Sequence, residues 1–310
     1  MIEAIQLNKK FKEKIVVKDV DLYLDKGESV GLLGPNGAGK STTISMISSL
    51  LKPTSGDVKL NGKSVVKTPA DIRKVLGVVP QEIALYQELT AYENLKFFGR
   101  IYNVPKDQLE SRIQRTLELV GLKERQKDLI KTFSGGMKRR INIASAMLHE
   151  PEILILDEPT VGIDPQSRNY ILEMIRQLNQ QDHTSVLYTS HYMEEVEQLC
   201  DRVYIMDHGK VIASGSQPEL LSILSNEDTM MVQLNQTSNE LITAILKMDV
   251  VRNIEETSDG LKIIAKKSSN IISDLVKLVD QHNSKIINFQ MENPRLEDVF
   301  LHLTGRTLRD

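Results

Sequence analysis

Residues 34–42 read Gly34-Pro35-Asn36-Gly37-Ala38-Gly39-Lys40-Ser41-Thr42. This stretch fits the pattern of a phosphate-binding loop, in which a glycine, four residues and a second glycine precede lysine and serine. The mostly apolar run Ser29–Leu33 comes before it and predicts a buried strand, and Ser41–Leu51 predicts a helix after it. This strand–loop–helix order favours a phosphate site over an ordinary glycine-rich turn before a helix.

The residue types of this loop suit a nucleotide phosphate. Glycines let the backbone turn sharply and approach a phosphate closely, and successive N–H groups at a helix start present partial positive charge to it. We expect Lys40 to reach the β- and γ-phosphates and Ser41 to ligate Mg²⁺. The candidate nucleotide-binding residues are Gly34, Pro35, Asn36, Gly37, Ala38, Gly39, Lys40, Ser41 and Thr42.

A second nucleotide signature lies downstream, where Asp157 and Glu158 follow the apolar run Ile153–Leu156. In doubly wound sheets, ligands bind in the crevice beyond the carboxyl ends of the strands. Asp157 is placed there to hold Mg²⁺ or its waters, and Glu158 to orient and deprotonate a water that attacks the γ-phosphate. The alternative is a pair of surface acids at a strand end, which the phosphate loop upstream disfavours.

The composition is that of an ordinary globular protein, with 310 residues, 40% of them hydrophobic and 26% charged. The net charge of −3 argues against binding to nucleic acid or anionic lipid through bulk charge. No apolar run approaches the roughly 18 residues of a membrane span, and no signal peptide is visible. Cys200 is the single cysteine of the sequence, so no internal disulfide can form, which fits a reducing compartment. We expect a cytoplasmic protein without direct membrane insertion.

The order of strand and helix patterns predicts an α/β first domain over residues 1–226. Glu3–Leu7 and Val17–Leu24 alternate like antiparallel strands. Strand–helix alternation after residue 152 predicts a mostly parallel sheet covered on both faces. Between these blocks, residues 82–150 have helical patterns and predict a helical subdomain, in which Thr90 and Glu93 have capping-box spacing.

Residues 227–310 predict a second, small α+β domain. The order of its elements is βαββαβ, which is that of the ferredoxin-like unit. A last helix over Pro294–Leu303 ends before Gly305. No phosphate or catalytic motif occurs in this domain, and we expect it to serve regulation or the pairing of subunits.

The stretch Thr132–Arg140 adds a feature that phosphate-loop proteins in general lack. It contains Ser134, Gly135 and Gly136, and it resembles the Leu-Ser-Gly-Gly-Gln signature of the ATP-binding subunits of ABC transporters, with Phe133 and Met137 departing from it. The resemblance implies that Ser134–Gly136, at a helix N-terminus, contact the γ-phosphate of ATP held by the opposite subunit. Taken alone, these three residues are a flexible helix start.

The basic run Lys138–Arg140 directly follows this signature. Such a run can indicate a nucleic-acid site. We expect instead that it forms a solvated face of one helix.

Four further positions match the family one at a time. Gln81, after Pro80, matches the glutamine that senses Mg²⁺ and the attacking water. Asp164 lies in a segment that resembles the loop crossing the dimer interface, and His191 matches the histidine that contacts the γ-phosphate. Phe11 matches the aromatic residue that stacks on adenine, which is often tyrosine in the family. Alone, each of these would be an ordinary loop, strand-end or packing residue.

The resemblance implies a P-loop ATPase core that uses ATP and Mg²⁺ and drives a separate membrane-spanning permease. Two ATPase subunits, identical or different, would form the working pair on the cytoplasmic face of the membrane. The tail Asn293–Gly305 resembles the end of ATPase subunits from drug-, antibiotic- and sodium-exporting systems, the daunorubicin-resistance-like branch. Candidate contacts to the permease, with Tyr86 and its loop neighbours favoured over the two phenylalanines, are Ile83, Leu85, Tyr86, Phe97 and Phe98.

Other functional classes are possible for the same ATPase core. Translation-related members usually carry two cores in one chain, and DNA-repair members separate the nucleotide motifs by a long coiled coil; this chain does neither. A catalytically silent switch is disfavoured because Lys40, Glu158 and His191 are all present. The remaining alternative is an importer subunit, against which the tail argues.

Overall fold

The computed structural model describes residues 1–190, 192–224, 227–257, 260–266, 271–282, 284–292 and 295–305. The chain divides into two compact units, of which the first is Met1–Ser216 and the second begins at Gln217. Residue 226, where the sequence predicted the domain boundary, lies outside the described residues, and the division falls before it.

The first unit contains ten of the described strands and seven of the described helices. The strands are β1 Ile2–Phe11, β2 Lys14–Leu24, β3 Ser29–Leu33, β4 Ser55–Leu60, β5 Lys63–Ser64, β6 Leu76–Val79, β7 Ile153–Asp157, β8 Ser185–Thr189, β9 Arg202–Asp207 and β10 Lys210–Ser216. The helices are α1 Lys40–Ile47, α2 Pro69–Val75, α3 Ala91–Ile101, α4 Lys106–Leu119, α5 Gly135–Met147, α6 Pro165–Asp182 and α7 Met193–Leu199.

Two sheets organise this unit. The described strands of the larger sheet run in the order β10-β9-β3-β8-β7-β6, and all of them are parallel except β10. The second sheet has the order β2-β1-β4-β5 and is antiparallel. The predicted α/β class with antiparallel N-terminal strands is therefore confirmed. Sequence patterns did not show that these first strands form a sheet of their own.

The hydrophobic core of the first unit joins both sheets to α1. Every residue of β3 is buried, as the apolar run predicted, because a parallel strand in the middle of a sheet is covered on both faces. Leu24 from the antiparallel sheet belongs to the same buried cluster as Leu32, Ile47 and Ile155. This packing fixes the loop between β3 and α1 from both sides.

The predicted helical segment lies between β6 and β7 in the chain and contains α3, α4 and α5, which pack on one another. α3 begins with the expected capping box: Thr90 Oγ1 accepts a hydrogen bond from Glu93 N at 3.1 Å, and Glu93 Oε2 accepts one from Thr90 N at 2.9 Å. The short helix α2 was not predicted. Ile72 is its one buried residue among polar neighbours, too weak a pattern to recognise.

The described elements of the second unit are α8 Gln217–Leu221, β11 Glu227–Leu234, α9 Asn239–Leu246, β12 Val251–Thr257, β13 Gly260–Lys266, α10 Ile271–Gln281, β14 Ile286–Glu292 and α11 Leu296–Thr304. The strand order is β12-β13-β11-β14, and neighbouring strands are antiparallel. Each βαβ half therefore has a strand of the other half between its own two strands, which is the ferredoxin-like arrangement that the sequence predicted.

A buried ion pair attaches α11 to the sheet of the second unit. Lys262 Nζ on β13 lies 2.6 Å from Asp298 Oδ1 on α11, and the Asp298 side chain is 1% exposed. The other oxygen of Asp298 accepts a hydrogen bond from Arg295 N at 2.7 Å at the start of the helix. α11 ends at Gly305, whose φ of +69° is the left-handed conformation expected of a glycine C-cap.

Candidate nucleotide site

The phosphate loop leaves the buried end of β3 and turns into α1. Gly37 and Gly39 have φ values of +81° and +105°, a region that residues with a Cβ rarely adopt. A Cβ added at Gly39 would also lie 2.9 Å from the carbonyl oxygen of Val16. Within the described structure, α1 starts without a side-chain cap, so its first N–H groups are free to face an anion.

Lys40 lies buried inside this loop. Its Nζ donates hydrogen bonds to the carbonyl oxygens of Gly34 at 2.6 Å and Pro35 at 3.3 Å, and it lies 4.0 Å from Glu158 Oε1. Burial lowers the pKa of Lys40, while Glu158 and then Asp157 act to raise it. The loop thus holds the Lys40 ammonium group, whose burial is partly offset by the two carbonyl groups, beside the carboxylates that were predicted to act with it.

Thr189 holds the two carboxylate residues at the end of β7. Asp157 and Thr189 are paired in register across β7 and β8. Thr189 Oγ1 donates to Asp157 Oδ1 at 2.8 Å and accepts from Glu158 N at 2.9 Å. Glu158 has a φ of +50°, a strained conformation for a residue with a side chain and one that is often found at functional sites. Sequence reasoning missed Thr189, because the order of strands in the sheet was not known.

Gln81 reaches the same carboxylate from the loop after β6. Its Nε2 donates to Glu158 Oε2 at 2.8 Å. The loop is held by Arg139 on α5, whose guanidinium donates to Pro80 O at 2.7 Å and to Gln81 O. Through these hydrogen bonds, α5 of the helical segment fixes the loop that carries Gln81, the glutamine predicted to sense Mg²⁺ and the attacking water.

The prediction of a solvated face for Lys138–Arg140 was wrong. Arg139 is 4% exposed, and the Arg140 guanidinium stacks 4.8 Å from the ring centroid of Tyr170. The physical reason is that the carbonyl groups of the Gln81 loop give Arg139 buried hydrogen-bond acceptors. A signal was present in the sequence, since Arg139 lies four residues before Ile143 and seven before Ala146 and so on the same, apolar face of the helix.

The signature residues lie at the start of α5. Ser134 Oγ accepts a hydrogen bond from Met137 N at 3.2 Å and caps the helix. Ser134 and Gly135 are exposed, whereas Gly136 is buried against the start of α6. A Cβ added at Gly136 would lie 2.1 Å from Ser167 Oγ. The second glycine is therefore required by packing within this chain.

Asp164 is the N-cap of α6, and its Oδ1 accepts from Ser167 N at 2.9 Å. This hydrogen bond from Ser167 lowers the pKa of Asp164.

Phe11 is exposed at the end of β1, with Lys9 Nζ 5.1 Å from its ring centroid. His191 lies outside the described residues.

The donor set suits a nucleoside triphosphate with Mg²⁺. Lys40 and the free N–H groups at the start of α1 can bind phosphate oxygens. The hydroxyl of Ser41, which is exposed, and the carboxylate of Asp157 are hard oxygen ligands of the kind that Mg²⁺ prefers. The fold and these groups define the chain as a P-loop nucleoside triphosphatase.

Comparison with known proteins specifies the family. The profile described as "ABC transporter" matches residues 17–161. The chain is 47% identical to the linearmycin resistance ATP-binding protein LnrL of Bacillus subtilis (strain 168), with 100% of both chains covered. It is 34% identical to the daunorubicin/doxorubicin resistance ATP-binding protein DrrA of Streptomyces peucetius, covering 100% of this chain and 94% of the other.

The fold is also similar to the dimeric structure of a post-hydrolysis state of the ATP-binding cassette MJ0796 bound to ADP and Pi. The TM-score is 0.63 at 27% sequence identity, covering 70% of this chain and 98% of the other. The chain belongs to the ATP-binding proteins of ABC transporters. It is an ATPase that uses ATP and Mg²⁺, as the resemblance implied.

ATP-binding subunits of this family pair with separate membrane permeases and form dimers. Among the residues that the structure describes, no helix is both long enough and apolar enough to cross a membrane.

Substitution of Gly136 by alanine tests the packing of α5 on α6. We expect Gly136→Ala to lower the free energy of unfolding by about 1–3 kcal/mol, because the new Cβ overlaps Ser167. Gly135→Ala is the matched control, since a Cβ there has no neighbour within 4 Å. Ser167→Gly should restore stability to the Gly136 variant. Equal stabilities of the two alanine variants in denaturant titrations would contradict the packing argument.

Proposed function

We propose that this chain powers an ABC exporter for an antibiotic- or drug-like molecule, through a separate permease and from the cytoplasmic face of the membrane. The observation that carries the proposal is the full-length similarity to an antibiotic-resistance ATP-binding protein, at 47% identity. A second resistance protein is similar over the whole of this chain as well. The similarity includes the C-terminal unit as well as the ATPase core.

In the proposed site, Lys40 and the N–H groups of the phosphate loop bind the β- and γ-phosphates. Ser41, Gln81 and Asp157 are the candidate Mg²⁺ ligands, and the bound ion supplies neutralisation of phosphate charge. Glu158 accepts a proton from water as the water oxygen bonds to the γ-phosphorus and the bond from that phosphorus to the bridging oxygen breaks, which leaves ADP and phosphate. The hydrogen bond from Gln81 to Glu158 supports a shared role in placing that water.

The other half of the site is proposed to come from a second ATPase subunit. Ser134 and Gly135 are exposed at the start of α5, where N–H groups favour an anion. Asp164, exposed at the start of α6, is proposed to lie at the same interface. His191 and Phe11 are assigned to the γ-phosphate and the adenine by resemblance to the family. Nucleotide then favours the paired state because it contacts both subunits in that state.

Glu158→Gln tests the proposed general base. We expect the ATPase rate to fall by a factor of about 100 or more, because an amide cannot accept the proton from water. Nucleotide binding should persist, and ATP should hold the subunits together longer. Glu152→Gln is the control, since Glu152 is an exposed acid just before the other end of β7. Hydrolysis at the parental rate by the Glu158 variant would remove this residue from the mechanism.

An exposed aromatic cluster is the proposed contact surface for the permease. Tyr86 is 50% exposed, and its ring stacks edge-on against Phe97 at a centroid distance of 4.8 Å. Buried Asn94 fixes the backbone beneath it, accepting from Tyr86 N at 2.8 Å and donating to Tyr86 O at 3.0 Å. Phe98 is half buried, and its ring centroid is 6.4 Å from that of Tyr86. This rigid, exposed ring supports the choice of Tyr86 over the phenylalanines.

Tyr86→Ala should separate ATP hydrolysis from its coupling to the membrane. We expect recovery of a membrane-spanning permease to fall several-fold when the variant is purified from membranes, because the exposed part of the cluster is lost. The ATPase rate of the isolated protein should remain unchanged. Leu50→Ala, at another exposed apolar residue, should retain the partner. A parent protein that brings down no membrane protein would contradict the transporter proposal itself.

We assign the second unit to the pairing of ATPase subunits or its regulation. Asp298→Asn should lower the stability of this unit by about 3–5 kcal/mol, because it leaves the Lys262 side chain, which is only 11% exposed, without its partner charge. Asp274→Asn, from an exposed pair with Lys277, should change stability by less than about 0.5 kcal/mol. Dimer formation should weaken only in the first variant. Loss of stability with parental dimerisation and ATPase rate would count against this assignment.

A further inference from the structure

Glu195 on α7 is a buried carboxylate with a dense set of donors. Its exposure is 2%. Its Oε2 accepts hydrogen bonds from Thr160 Oγ1 at 2.8 Å, Tyr188 OH at 2.8 Å and Ser190 Oγ at 2.5 Å. Burial, and then the charge of Glu195, raise the pKa of Tyr188 well above its ordinary value, so the Tyr188 hydroxyl stays a donor. Three hydroxyl groups therefore converge on one oxygen.

Arg168 on α6 balances the charge of this carboxylate. Its Nε lies 3.4 Å from Glu195 Oε1, and its guanidinium stacks on the ring of Tyr192 at 4.0 Å. Tyr192 N in turn donates to Ser190 Oγ at 2.9 Å. A buried carboxylate is costly unless it is paired and hydrogen-bonded, and here four side chains meet that requirement.

The partners of Glu195 belong to three separate segments of the candidate site. Thr160 comes two residues after Glu158, Ser190 directly precedes His191, and Arg168 lies in the first turn of the helix that Asp164 caps. A carboxylate that served only to pack α7 on the core would need no donors from these segments.

We propose that Glu195 is a positioning residue for ATP hydrolysis. It holds the segments after Glu158 and before His191 at a fixed separation, so that both residues act on one γ-phosphate. It does not touch nucleotide itself. This inference rests on the proposed roles of Glu158 and His191.

The test measures the ATPase kcat and KM of Glu195→Gln in the full-length protein. The amide keeps the volume of the side chain but turns an N–H₂ group toward hydroxyl donors or Arg168. We expect kcat to fall at least about tenfold, because small displacements of reacting groups are costly, while KM for ATP stays within about twofold.

Glu28→Gln is the matched control. Glu28 also pairs with an arginine, Arg202, at 2.8 Å, but it precedes β3, at the opposite end of that strand from the phosphate loop. We expect it to lose stability without loss of kcat. Parental kcat in a folded Glu195→Gln protein, or a loss of kcat no larger than that of the control, would overturn the proposal.

Ser190→Ala and Thr160→Val keep the proposal testable if Glu195→Gln does not fold. Each removes one hydroxyl donor and keeps the carboxylate, and each should lower kcat at nearly constant KM. Parental kcat in both variants would overturn the proposal. Glu158→Gln in the same assay separates the role of Glu195 from that of Glu158. If only Glu158→Gln is inactive and the Glu195, Ser190 and Thr160 variants keep the parental kcat, Glu158 keeps its proposed role and Glu195 does not. If Glu158→Gln is active, the proposed mechanism of hydrolysis fails.

Discussion

The parallel pairing of β3, β8 and β7 is the constraint on which the site depends. The register sets Leu32 beside Thr189 and Thr189 beside Asp157, so three loops leave the sheet at one edge. Each loop carries a different group: the phosphate-binding amides, the carboxylates, and the segment that precedes His191. Residues far apart in sequence therefore meet without long side chains or flexible linkers, in the crevice beyond the carboxyl ends of the strands where α/β sheets bind ligands.

The burial of charged side chains is the second constraint, and each of three such side chains near this edge is hydrogen-bonded to fixed groups. Lys40 has the carbonyl groups of its loop, Arg139 has those of the Gln81 loop, and Glu195 has three hydroxyl groups. Removing charges from water is costly, and hydrogen bonds to fixed groups recover part of that cost. The same hydrogen bonds hold the loop backbone in place. The groups that stabilise the buried charges therefore also make the loops rigid.

The sequence predicted local features well, because their causes are local. The phosphate loop, the capping box at Thr90 and the βαββαβ order all depend on residue types at short spacing. Contacts across the sheet were missed, since Thr189 meets Asp157 only through the strand order. Arg139 was misassigned because a charged run was taken as exposed. Roles that depend on a second subunit, such as those of Ser134 and Asp164, came from family resemblance and not from local physics.

Within one chain, the start of α5 and the segment that follows Glu158 are connected by direct contacts through α6. Gly136 packs against Ser167 at the start of α6, and Arg168, the next residue of that helix, is paired with Glu195. The start of α5, which we propose contacts the nucleotide of the opposite subunit, thus packs against the helix that carries the arginine paired with Glu195. Because packed interiors transmit small displacements, a shift near Glu158 can reach the start of α5 through these contacts. Within one chain, these contacts therefore connect the segment of Glu158 to the start of α5.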